Sequence, residues 1–145
     1  MISASMELSA AISTEVISGV YYRFRYRALN EVGFGPYSDF GYILTASVPD
    51  KPLVFTIEPI SDFLMLKWQM PYNRASLITI AEIKLLGKDM QLHHELANCD
   101  GSLKEVFDAR SCSIPSSVLR LAPFSFVQGD LIKPVIRFRN QIGWS

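Results

Sequence analysis

The residues best placed to do chemistry are arginines. Arg23, Arg25 and Arg27 stand at alternate positions, and Arg137 and Arg139 repeat the spacing near the other end of the chain. In an extended strand, alternate side chains point to one face, so each set forms a stripe of guanidinium groups. Such a stripe can bind a sulfated or carboxylated polyanion, meet an acidic protein partner, or stack its planar groups on aromatic rings. The plainer reading, which the alternation itself favours, is the solvated face of a half-buried strand, with a positive charge that discourages edge pairing.

The other reactive groups offer less. Cys99 and Cys112 are the only two cysteines. The favoured reading joins them in a disulfide, which would stabilise the fold by about 3 kcal/mol and pin a polar excursion to the next strand; the alternative is two free thiols in a reducing compartment. His93, His94 and Glu95 lie near Cys99. Adjacent histidines on a strand face opposite ways, so they do not share one metal, and no metal is expected. There is no Gly-x-Ser-x-Gly, no phosphate-cradling glycine loop and no His-Glu-x-x-His. Gly33-Phe34-Gly35 reads as a turn between strands, and Asp100, Glu105 and Asp108 as solubilising loop carboxylates. The expectation is no enzyme and no cofactor.

Bulk properties narrow the field further. The chain has 145 residues, 49% hydrophobic and 19% charged, with zero formal net charge. No global charge draws it to nucleic acid or to an anionic membrane, so neither is an expected partner. No window is long and apolar enough for a spanning helix. The first residues lack the basic and then apolar pattern of a signal peptide. None of Asn30, Asn73, Asn98 and Asn140 begins a glycosylation triplet.

The elements that would carry these residues are mostly strands. Runs rich in β-branched and aromatic residues, bounded by turn formers, fall at 21–31, 41–46, 54–57, 64–69, 79–86, 91–97, 112–115 and 131–140. A short helical turn fits 116–121, and the first dozen residues fit either a helix or a frayed end. Pro49 and Pro52 bracket an extended connector. The expected modules are therefore 1–48 and 49–145. An internal repeat supports the division: GVYYRFRYRALNEVGFG from Gly19 aligns with GDLIKPVIRFRNQIGWS from Gly129, 110 residues later. Gly19 meets Gly129, Arg27 meets Arg137, Asn30 meets Asn140 and Gly33 meets Gly143. This spacing suits one antiparallel sandwich of about 100 residues.

These residues resemble the fibronectin type III family. Its penultimate strand alternates aromatic and apolar residues before an asparagine and a small-residue bend; here these are Tyr22, Phe24, Tyr26, Ala28 and Asn30, then Gly33, Gly35, Pro36 and Ser38. Its second strand carries a buried tryptophan shortly before a proline, here Trp68 and Pro71, and Leu64 and Leu66 share the tryptophan's face. Ile78-Thr79 opens the next strand as in the family, but Ile80 and Ala81 replace its Gly-Tyr. Tyr22 takes the place of the family's corner tyrosine, whose hydroxyl ties back to the backbone. Ile132 stands there in the second copy, beside Pro134. The stretch from Asn98 to Asp130, with Cys-Asp-Gly and Ser-Cys-Ser-Ile-Pro, resembles a cysteine-bearing variant of the module repeated in large ciliate proteins.

The resemblance implies an all-β, immunoglobulin-like antiparallel sandwich: one nearly complete module (49–145) lacking its last strand, preceded by the terminal hairpin of another (1–48). It implies a non-catalytic part of a tandem array, next to further modules of its kind, that spaces domains or binds a protein partner. An extracellular or cell-surface location follows if the cysteines are bonded; a cytoskeletal or ciliary scaffold inside the cell is the alternative. Rival functions are a receptor ectodomain segment that binds ligand through the arginine face and an accessory spacer of a secreted enzyme. The receptor reading resembles the arginine–tryptophan ladder of cytokine-receptor modules, at which Gly143-Trp144-Ser145 and Pro36-Tyr37-Ser38 hint. The strand at 131–140 is expected to leave an open edge through which chains self-associate or swap strands.

Overall fold

The computed structural model describes residues 16–52 and 55–145. The first dozen residues and Val54, included in the expectations above, lie outside that range. The chain divides into two compact units, Met1–Thr45 and Ala46–Ser145. The division falls just before the expected connector because the connector belongs to the second unit. There the Ser47 amide donates to the Arg74 carbonyl, the Asp50 amide donates to the Tyr72 carbonyl, and Arg74 pairs with Asp50 at 2.7 Å.

The first unit is built on a hairpin. Strand β1 (Tyr21–Phe24) pairs antiparallel with β4 (Gly41–Leu44), and two short strands, β2 (Leu29–Asn30) and β3 (Gly33–Phe34), close the turn between them. The long strand expected over 21–31 is thus interrupted at 25–28. The facing segment explains why: 35–40 carries Pro36, which has no amide to donate, and Ser38 bonds Tyr26 partly through its side chain. Phe24 sits directly opposite Gly41 with its ring over the bare backbone, in the space a Cβ would need. The aromatic row is not a buried face here: Tyr22 is half-buried, but Phe24 and Tyr26 are 53% and 71% exposed.

The second unit is all-β with two small helices. One antiparallel sheet runs β5 (Phe55–Ile60), β6 (Phe63–Trp68), β9 (Ser111–Pro115); the other runs β10 (Pro134–Arg139), β7 (Ile80–Leu86), β8 (Leu92–His93). Alternation places Leu64, Leu66 and Trp68 of β6 and Cys112 and Ile114 of β9 in one core with Ala81, Ile83 and Leu85 of β7 and Phe138 of β10. The strand expected over 54–57 runs on to Ile60, and three elements differ more in kind. The strand over 91–97 shrinks to β8, because the chain turns into a loop in which the Glu95 carbonyl and carboxylate take the Cys99 and Asn98 amides. The strand over 131–140 begins at Pro134, the position where a strand best tolerates a missing amide. A helix, α1 (Lys104–Ala109), forms where a loop was expected; it packs Val106 and Phe107 on the core and ends with Arg110 in the left-handed region. Helix α2 (Ser116–Leu119) fills the start of the turn expected at 116–121.

The loop between β8 and α1 is fastened to both sheets. The Gly101 carbonyl accepts the Ala81 amide of β7, and Cys99 is disulfide-bonded to Cys112 of β9. Any Cβ at Gly101 would overlap the Ala81 carbonyl, so the backbones can approach only with glycine there.

Trp68 is 4% exposed and stacks on Phe55, while its indole Nε1 has no hydrogen-bond partner. Its contribution therefore comes from buried area. Trp68→Ala is expected to lower stability by about 3–5 kcal/mol. Trp68→Phe, which loses no hydrogen bond, should cost well under half of that in urea unfolding followed by far-UV circular dichroism.

Candidate functional site: paired arginine–aromatic ladders

The arginine stripe of the first unit is a ladder. Three rings recur every third residue, Phe34, Tyr37 and Phe40, and all lie against the arginine row. Arg27 stacks on Phe34 at 3.7 Å and lies 4.8 Å from Tyr37; Arg25 stacks on Tyr37 at 3.8 Å and lies 5.2 Å from Phe40; Arg23 lies 5.1 Å from Phe40. Rings and guanidinium groups thus alternate from Arg23 through Phe40, Arg25, Tyr37 and Arg27 to Phe34. Each contact of this kind contributes about 0.5–1 kcal/mol at an exposed site. All three arginines are exposed, so the row is both a solvated strand face and a stacked array. Tyr22 lies near the start of the row, and its hydroxyl accepts the Ile17 amide at 2.9 Å.

The second unit carries a shorter ladder in the same place. Arg137 and Arg139 lie 4.5 and 5.7 Å from the Trp144 ring. The pair Arg137–Trp144 is the repeat counterpart of Arg27–Phe34. The turns that bring the rings back also match bond for bond. Asn30 Oδ1 accepts the amides of Val32 and Gly33 at 2.9 and 3.1 Å; Asn140 Oδ1 accepts those of Ile142 and Gly143 at 2.9 and 3.1 Å. The Gly35 amide donates to Ala28, and the Ser145 amide to Phe138, at 2.9 and 2.8 Å. An asparagine side chain that mimics backbone in this way sets a tight turn.

The two sites differ in charge balance. Arg137 pairs with Glu82, its direct neighbour across β7, and Lys84 and His94 lie 3.4 and 3.5 Å from the same carboxylate. Burial pushes the Glu82 carboxyl up; the hydrogen bond and charge of Arg137, with Lys84 behind, outweigh it and hold the group below the usual glutamate value. No carboxylate pairs with Arg23, Arg25 or Arg27 among the described residues.

Other named residues fall outside the ladders. Trp68 lies in the core and Pro71, just beyond it, is half-buried. Ala28 is exposed and supplies the carbonyl that fixes Gly35. His93 and His94 part as adjacent strand residues do: His93 meets Asp89 at 2.7 Å and the edge of Phe124, while His94 turns to Glu82. Among the described residues no group of three or more His, Cys, Asp or Glu side chains could hold a metal ion. No helix among them is long and apolar enough to cross a membrane. No protein-family model matches the chain.

Two expectations follow. Asn140 is 2% exposed and its amide also donates to the carbonyls of Ser47, Asn73 and Ser76, whereas Asn30 is exposed. Asn140→Ala should lower stability by about 2–4 kcal/mol, because it strands several buried groups at once. Both tryptophans, Trp68 and Trp144, lie in the second unit. Urea unfolding followed by tryptophan fluorescence should therefore shift for Asn140→Ala and stay fixed for Asn30→Ala. The second expectation concerns acid. The Glu82 carboxyl is held low in the folded state, so its contribution is fully present above the ordinary glutamate range and is lost as pH falls through the lowered folded value. Glu82→Gln should flatten the acid limb of the stability–pH curve and leave the slope above neutral pH unchanged.

Proposed function

We propose that this protein is a non-catalytic interaction and spacing module, made of two successive fibronectin type III-like units from a tandem array. The observation that carries this reading is the recurrence, 110 residues apart, of the same asparagine turn holding an aromatic ring over an arginine. A turn of this detail, repeated at about the length of one sandwich, is what consecutive copies of one module would present. The two sheets of the second unit, their shared core around Trp68 and the tyrosine tie in the first unit all suit the same family. The Cys99–Cys112 bond suits an oxidising compartment, hence an extracellular or cell-surface array. The exposed ladder of the first unit favours a second reading, in which the chain is a ligand-binding receptor segment.

Modules of an array fold by themselves. Residues 46–145 produced alone should unfold cooperatively, with the tryptophan-monitored midpoint of the full chain. Failure to fold alone would remove the modular reading. Location is tested separately: intact mass and thiol labelling of natively produced chain should find Cys99 and Cys112 bonded. Two labelled thiols would move the array inside the cell.

A further inference from the structure

We infer that the arginine ladder of the first unit is a docking edge for an extended acidic peptide, which adds to the sheet as a strand and places a carboxylate against each guanidinium. The inference rests on the interaction-module reading above and names its partner class.

Three observations lead there. The first is the state of the guanidinium groups. Each of Arg23, Arg25 and Arg27 lies over an aromatic ring, and no ion pair or hydrogen bond occupies their N–H groups among the described residues. A guanidinium held against a ring has already lost part of its freedom, so its N–H fork meets a carboxylate with less ordering cost than a free side chain would.

The second is the open backbone edge. From Val20 to Ala28 the hairpin uses the even-numbered residues. The Val20 carbonyl accepts the Thr45 amide, the Tyr26 carbonyl accepts the Ser38 amide, and the Ala28 carbonyl accepts the Gly35 amide. The odd-numbered backbone groups, at the arginines themselves, therefore point to the other side of the strand. No strand pairs there among the described residues, since β1 has only β4 as a neighbour. An edge of this kind is a template for another extended chain.

The third is that the second unit has the arrangement filled. On β10 the side away from Trp144 is taken by β7: the Lys133 and Arg139 carbonyls accept the amides of Leu86 and Thr79, and Glu82 stands directly opposite Arg137 and pairs with it. Residues directly opposite in an antiparallel pair share a face, so a carboxylate across from a ladder arginine pairs with the guanidinium while the aromatic ring stays in contact with it. Arg27 is the repeat counterpart of Arg137, and its opposite position is vacant among the described residues. The acidic peptide would supply there what Glu82 supplies in the second unit. Arg23 to Arg27 spans about 13 Å of strand, so the matching segment is about five to seven residues long, with Glu or Asp at alternate positions.

The test uses the full chain and a fluorescein-labelled peptide, Thr-Glu-Val-Glu-Val-Glu-Thr, by fluorescence anisotropy at low and physiological salt. Binding is expected to weaken as salt rises. Replacing the three glutamates by glutamine should weaken binding at least tenfold, as should Arg23→Gln, Arg25→Gln and Arg27→Gln combined. Lys104→Gln, on the exposed face of α1 and outside both ladders, should leave binding unchanged. Two controls stay informative if the triple variant misfolds. Arg27→Lys keeps the charge but loses the planar fork, and should weaken binding several-fold. N-methylation of alternate peptide amides, in each of the two registers, should abolish binding in the register that faces the strand. The proposal is overturned if both N-methylated peptides bind like the parent, or if a sulfated oligosaccharide of equal charge competes as well as the acidic peptide does; the row would then be a general polyanion patch. It also falls if the parent peptide does not bind. Loss of peptide binding with 46–145 still folding alone would sink this inference and spare the modular reading.

Discussion

A buried amide has no water to fall back on, so every partner it needs must be built into the protein. Asn140 is that constraint here. It is almost wholly enclosed, and its two ends do different work. The oxygen collects the Ile142 and Gly143 amides and folds the chain back on itself after β10. The nitrogen reaches the carbonyls of Ser47, Asn73 and Ser76, which belong to the connector and to the loop before β7. One side chain thus joins three stretches far apart in sequence. The turn it sets also carries Trp144 back over Arg137, so the geometry of the ladder depends on a group inside the fold.

The first unit shows the same turn without the burial. Asn30 makes the two local bonds and nothing else, because no connector or loop lies within its reach among the described residues. Its ladder is longer, and its arginines and rings are all exposed. The contrast separates two ways of holding an arginine. In the second unit Arg137 has both a ring, Trp144, and a carboxylate, Glu82, as partners within the chain. In the first unit the arginines have rings as partners and, among the described residues, no carboxylate. Stacking on a ring does not neutralise a guanidinium; it only removes its freedom to turn away.

Much of the second unit's core was legible in the sequence, because local alternation survives folding. Leu64, Leu66 and Trp68 read as one face of a strand and lie together in the core. The cysteine pair read as a bond between a polar excursion and the following strand, and Cys99 meets Cys112 on β9. The repeat aligned Asn30 with Asn140, and the two side chains make the same turn bonds. What was hidden depended on contacts distant in sequence or on irregular backbone. Phe34, Tyr37 and Phe40 recur every third residue, a spacing that fits no strand, so their meeting with the arginines gave no periodic signal. Glu82 looks like any polar strand residue until register places it opposite Arg137. Helix α1 has no side-chain cap and spans under two turns, too short to show an amphipathic period. Its contacts with the core, and the Arg110 carbonyl that accepts the Trp68 amide, hold it in place.

The aromatic row of β1 had an ambiguous pattern. Alternating Tyr22, Phe24 and Tyr26 read as one shared face of a strand, yet Phe24 lies over the bare backbone of Gly41, and Tyr26 is open to water. Alternation specifies which residues share a face; it does not specify which face is covered. In the second unit the covering sheet exists, and Phe138, the counterpart of Ala28, is fully enclosed by it. In the first, the large side chains stand opposite the arginines, while the described residues supply no second layer. Among the described residues that strand is held by its pairing with β4, by its arginine face, where three guanidinium groups and three rings interleave, and by the Tyr22 hydroxyl that accepts the Ile17 amide.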